Sequence, residues 1–136
     1  MVSAHSEVAL DACYPAQAAR VADIRTAVAD VAARCGAGHG LLVRIGLAVS
    51  EAATNVVLHA YRGAGMPRGL IHVKAACREQ RFLDVLVRDD GVGMSPRTDS
   101  PGLGLGISLM AHEADELEIR VCDDGGTEIQ LRFALA

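Results

Sequence analysis

The stretch Phe82-Leu83-Asp84-Val85-Leu86-Val87-Arg88-Asp89-Asp90-Gly91-Val92-Gly93 decides the fold. Leu83, Val85 and Val87 recur with the period of two that marks a strand with one face on a core, and Asp89 follows on that same face. The strand predicted over Phe82–Arg88 therefore hands over to Gly91-Val92-Gly93 with a carboxylate turned inward. Such an acid can accept a hydrogen bond from the exocyclic amine of a base, and the glycines let a ligand approach the backbone. A plain Asp-Gly turn accounts for the same residues.

Outward from this strand, a partner is predicted over Leu70–Cys77, joined through the polar turn Arg78–Gln80. Before it, a helix is predicted from Gly40 to Tyr61. Leu41, Ile45, Ala48, Val49, Ala52, Val56 and Ala60 fill one stripe of its wheel, with Glu51 and Asn55 together on the shoulder. Gly63, Gly65 and Pro67 then break the chain. A first helix spans Gln17 to Cys35, with Gly36 where a left-handed residue commonly closes a helix, and Ser6–Tyr14 suits a first strand. Downstream, Gly102-Leu103-Gly104-Leu105-Gly106 opens a helix carrying Ile107, Met110, Ala111 and Ala114. Leu117, Ile119 and Val121, a turn at Asp123–Gly126, and Thr127, Ile129, Leu131, Phe133 and Leu135 form a closing hairpin. The fold class expected is a two-layer α/β sandwich in one domain, residues 1–136. Its mixed, mostly antiparallel sheet has helices on one face and polar residues on the other.

Composition removes several classes. Hydrophobic residues are 51% and charged residues 22% of 136, so a disordered chain is excluded. Aromatics are 3%, too few for a surface that stacks unpaired bases. Thirteen basic against 17 acidic residues give −4, with no basic stripe, and no nucleic-acid partner is expected. Lys74 is the only lysine and GxxxxGK[ST] is missing, which excludes a P-loop. Cys13, Cys35, Cys77 and Cys122 lack any CxxC spacing and read as small buried hydrophobes of a reducing compartment. No start resembles a secretion signal and no run approaches the ~18 apolar residues of a membrane span, so a cytoplasmic protein is expected.

Four motifs can carry chemistry, and each has an ordinary explanation beside it. Glu51 can act as a base while the Asn55 amide, one turn on, holds a hard cation; exposed acid–amide pairs at this spacing are also common. Asp89 with Gly91 and Gly93 is the base-reading turn described above. Gly102, Gly104 and Gly106 can bare the N–H groups of a helix start to an anion, or serve as a glycine-rich connector. Gly125-Gly126-Thr127 is explained by a hairpin turn, except that Thr127 shares the inward face with Ile129 and Leu131. His59 is a further wall of the same cavity or a structural histidine; His5, His39, His72 and His112 lack metal-ligand spacing. No GxSxG and no Cys/His pairing suggests a covalent nucleophile.

In this order the four motifs resemble the ATP-binding (GHKL, or Bergerat) domain shared by gyrase, Hsp90, histidine kinases and MutL. They are most similar to the small anti-sigma-factor serine kinases of the RsbW/SpoIIAB type. Val49–Tyr61 resembles the N box, Asp89–Met94 the G1 box, Gly102–Gly106 the G2 box and Gly126-Thr127 the closing Gly-Thr element, over nearly the whole chain. The resemblance implies ATP and Mg2+ as cofactors, with Asn55 on the metal and Glu51 orienting or deprotonating the attacking hydroxyl. It implies adenine on Asp89, directly and with Thr127 through a water, over a floor of Gly91 and Gly93. Phosphate would meet backbone N–H groups of the Gly102, Gly104 and Gly106 segment. It further implies a homodimer, a STAS-type anti-anti-sigma partner phosphorylated on serine or threonine, and a sequestered sigma factor. The related kinases carry a base immediately before the G2 glycines; here Asp99-Ser100-Pro101 stands there and Arg97 is the only base nearby. That departure motivates the alternative of a non-catalytic, ATP-gated module that captures and releases a partner.

Overall fold

The computed structural model describes residues 9–61, 69–91, 101–123 and 125–135, and of 101–106 the backbone alone. Strands β1 (Ala9–Pro15), β2 (Leu70–Arg78), β3 (Phe82–Asp89), β4 (Glu116–Val121) and β5 (Thr127–Ala134) form one sheet in the order β1-β2-β3-β5-β4. Helices α1 (Arg20–Arg34), α2 (His39–Asn55) and α3 (Pro101–Glu113) cover one face. All four described strand pairs are antiparallel, as expected of a mostly antiparallel sheet, and the parallel pair of a mixed one is missing among them. The reason lies in the last hairpin. β3 and β4 run the same way, but β5 returns between them, so the two never pair.

The period-two pattern holds along the central strands. Leu83, Val85, Val87 and Asp89 are buried, as are Thr127, Ile129, Leu131 and Phe133 of the neighbouring β5. Opposite them lie Ile24 and Val28 of α1, Ile45 and Val49 of α2, and Met110 of α3. Each large apolar side chain so buried contributes about 1.5–3 kcal/mol. Gly36 has φ 96°, and its N–H and that of Ala37 close α1 by donating to Ala33 and Ala32 carbonyls, as the sequence leads one to expect.

The second helix departs from its expected form. The α-helix ends at Asn55, and Val56–Ala60 continues as one π-helical turn. By length and mean hydropathy the run His39–Ala60 could cross a bilayer, but Arg44 and Glu51 interrupt it, so it is not the unbroken apolar run of ~18 residues whose absence the sequence leads one to expect. In the fold Ile45, Ala48, Val49, Ala52, Ala53 and Val56 are buried in the core cluster. Arg44 of α2 donates to the Glu113 carbonyl at 2.7 Å, a cation on the C-terminus of α3 that ties the far end of that helix to α2.

The cysteines also differ from expectation. Cys35, just after α1, and Cys77 of β2 are paired as a disulfide with Cα atoms 6.2 Å apart, within the ordinary span of such a bridge. Cys13 is exposed and Cys122 partly exposed, so neither is a buried hydrophobe. These placements follow from strand register and helix packing, which spacing along the chain does not encode.

Candidate nucleotide site

Asp89 is the last residue of β3 and is fully buried. Its Oδ1 accepts the Gly91 N–H at 2.9 Å, an Asx turn, and the Thr127 N–H at 3.3 Å across the sheet. Its Oδ2 is buried and has no partner among the described residues. Burial raises the carboxyl above its usual value, while the N–H groups of Gly91 and Thr127 oppose the rise. A buried acceptor left unmade costs about 1–3 kcal/mol, so the arrangement calls for a donor from outside the protein.

The neighbouring backbone is closely fitted around this carboxylate. A Cβ on Gly91 would collide with the Ala60 carbonyl of the π-turn, so the turn after β3 rests directly on the end of the second helix. Such single π-turns are frequent at functional sites. A Cβ on Gly126 would collide with the Asp89 carbonyl. Gly125 has φ 99° and supplies the hairpin turn, whereas Gly126 is required by close approach to Asp89. The Gly-Gly pair thus conceals two demands, and its turn-like sequence gives no sign of the second.

Tyr61 is a further member that carried no role of its own in the sequence. Its hydroxyl donates to the Leu70 carbonyl at 2.7 Å and accepts the Asp90 N–H at 2.9 Å, which fixes the turn beside Asp89. Burial is the main cause of the raised Tyr61 pKa. The one signal in the sequence is its place as the last residue of the Val49–Tyr61 motif.

Asn55 closes α2 and is 3% exposed, with its Nδ2 buried and without a partner among the described residues. Glu51, one turn earlier on the same side of α2, is partly exposed. The structure thus brings Asp89, Gly91 and Thr127 into direct contact, and the π-turn leading from Asn55 abuts them through Ala60. His59 lies half-buried in that turn. Gly102, Gly104 and Gly106 fall in the first six residues of α3, and Gly102 lies among the opening positions whose N–H groups a helix leaves without an internal acceptor. Gly93 and Arg97 lie outside the described residues. The two orphaned polar atoms, an acceptor on Asp89 and a donor on Asn55, fit a ligand that carries both an amine and an anionic group.

Residues 14–133 match the family described as the histidine kinase-like ATPase domain. The anti-sigma F factor of Heyndrickxia coagulans is 33% identical over 99 residues, covering 65% of this chain and 66% of that protein, just under two thirds of its length. The serine-protein kinase RsbW of Bacillus mycoides (strain KBAB4) is 31% identical over 134 residues, covering 88% of this chain and 81% of the relative. The crystal structure of the RsbU and RsbW domains of a Mycobacterium tuberculosis protein superposes with TM-score 0.73 at 24% identity, over 93% of this chain and 32% of that one. A mycobacterial sensor histidine kinase, MprB, gives 0.55 at 16%, over 92% and 97%. The two structures share the fold.

Proposed function

The chain belongs to the histidine kinase-like ATPase domain family, alongside anti-sigma factors and RsbW kinases, and from that premise we propose an ATP- and Mg2+-dependent protein serine/threonine kinase that acts as an anti-sigma factor. It phosphorylates an anti-anti-sigma partner of the STAS type, sequesters a sigma factor, and works as a cytoplasmic homodimer. The observation that carries the nucleotide part is the fully buried Asp89 with one oxygen fixed by two N–H groups and the other without a partner.

Each residue has a task in this reading. Asp89 Oδ2 accepts the adenine amine, and Oδ1 is held in place by Gly91 and Thr127. Gly91 and Gly93 keep side chains off the floor of the base pocket. Asn55 holds the cation through its amide oxygen, and Gly102, Gly104 and Gly106 keep the start of α3 open to phosphate. Glu51 orients the acceptor hydroxyl and takes its proton. When bound, Mg-ATP supplies the phosphoryl group and the neutralisation of phosphate charge.

A second reading, a nucleotide-gated binding module without turnover, is favoured by Asp99-Ser100-Pro101 where related kinases carry a base. One experiment separates the two. The purified chain is incubated with Mg-ATP and an anti-anti-sigma protein, and phosphoserine or phosphothreonine is measured by mass spectrometry. The kinase reading expects transfer that Glu51→Ala lowers by about 100-fold or more with ATP affinity retained. ATP binding with no phosphate on the partner supports the binding module instead.

A further inference from the structure

Cys13 and His72 stand directly opposite each other in the β1–β2 register, 59 residues apart in sequence, on the sheet face opposite the described helices. Cys13 is exposed, and its Sγ lies 3.1 Å from His72 Nδ1. On the other side of the ring, His72 Nε2 lies 3.1 Å from Asp90 Oδ2. A single tautomer satisfies both contacts: Nε2–H donates to the carboxylate, which leaves the Nδ1 lone pair facing the thiol. Asp90 is itself held, by its N–H on the Tyr61 hydroxyl at 2.9 Å and by Arg88 Nε 3.7 Å from its Oδ1. Nucleophile, base and a group that orients the base thus stand in line, the arrangement that activates a thiol. It corrects the expectation that no cysteine and histidine would pair.

We propose that Cys13 is a nucleophilic thiol that undergoes thiol–disulfide exchange with small disulfides, with His72 as its base and Asp90 as the residue that positions His72. Cys13 Sγ forms a new S–S bond with one sulfur of the incoming disulfide. The old S–S bond breaks, and its electron pair leaves on the second sulfur. The Cys13 proton passes to His72 Nδ1 and from there to the departing thiolate, so the step needs no external oxidant or reductant. The exchange step itself involves no nucleotide. The contacts are with an edge strand at the open face, where a small solute can reach the sulfur from solvent. The other charged groups on this part of the face are Asp11 and Lys74, opposite each other in the register, and Arg88, opposite His72.

The test follows adduct formation with hydroxyethyl disulfide by peptide mass mapping, with Cys13→Ser assigning the site. At pH 7 an ordinary thiol is only a few per cent ionised, so a base in place is expected to make the wild type react about three- to tenfold faster at Cys13 than His72→Gln. Asp90→Asn falls between them. At pH 10 accessible thiols are largely ionised without help, and the proteins react alike. Equal rates at pH 7 overturn the proposal, and so does a difference that persists unchanged at pH 10, which marks altered access rather than proton transfer. Should His72→Gln not fold, as judged by circular dichroism, Asp90→Asn alone decides by the same two comparisons.

Discussion

Strand β3 carries two aspartates that the pleat sends to opposite faces, and they live under opposite conditions. Asp84, on the open face, receives Arg132 in a fork of two bonds at 2.7 and 2.9 Å, with Arg78 at 3.4 Å on the same carboxylate. The Arg132 guanidinium also lies 4.5 Å over the Phe82 ring. Asp89, on the core face, has no exposed surface and two backbone donors on one oxygen, and its other oxygen is unmet. The same residue type in the same strand is thus satisfied by the protein where water could have served it, and left unsatisfied where water cannot reach. A carboxylate paired by arginines in the half-exposed setting explains itself as surface structure. One buried with a missing partner does not, because stability alone disfavours it. The difference between the two is the clearest mark of a ligand site in the chain.

The largest expected effect breaks the pair apart by function. Asp89→Asn replaces the orphaned acceptor with an amide whose NH2 can face the adenine amine. Nucleotide affinity is expected to fall about 100-fold or more, given roughly 1.5–3 kcal/mol for a hydrogen bond to a charged group plus the donor left unmet. Asp84→Asn is expected to leave affinity unchanged. Isothermal calorimetry with Mg-ATP checks both, and equal losses in the two variants would mean that the two carboxylates do not differ in function.

A smaller effect tests how tightly the binding end of β3 is built. Gly91→Ala places a methyl group against the Ala60 carbonyl, and the π-turn must shift to admit it. Overpacking of this kind destabilises by about 2 kcal/mol. Gly40→Ala meets nothing within 4 Å and sits in α2, so it is expected to be neutral or stabilising by about 0.5–1 kcal/mol. Urea denaturation of the two variants measures both. A Gly91→Ala protein as stable as the wild type would mean that the helix end does not brace the turn.

How much of this could be read from the chain divides along the same line. Whatever depends on local period was legible: the inward turn of Asp89 follows from Leu83, Val85 and Val87 by parity alone, and Gly36 marks the end of α1. Whatever depends on which strand lies beside which was not. The insertion of β5 between β3 and β4, the meeting of Cys35 with Cys77, and that of Cys13 with His72 all rest on pairings between distant segments. Gly126 and Tyr61 fall between the two cases. Both sit inside motifs visible in the sequence, but their work depends on contacts with Asp89 and Asp90 made across the fold.

The smallest effect is a dependence of stability on pH that belongs to Asp89. Unfolded, its carboxyl titrates near the ordinary 3.8; folded, burial raises it, against the opposing pull of the Gly91 and Thr127 N–H groups. Between the two values the folded chain keeps a proton that the unfolded chain has lost, so the proton favours the folded state. Stability from this group is therefore greatest at the acid end, falls as pH rises through the window, and levels off above the folded value. Asp89→Asn cannot titrate, so the wild type is expected to lose ground to it as pH rises from about 3.8. Urea midpoints across that range measure the difference. A wild-type protein whose stability parallels that of Asp89→Asn at every pH would show that burial does not disfavour this carboxylate, and that its unmet oxygen carries no cost for a ligand to relieve.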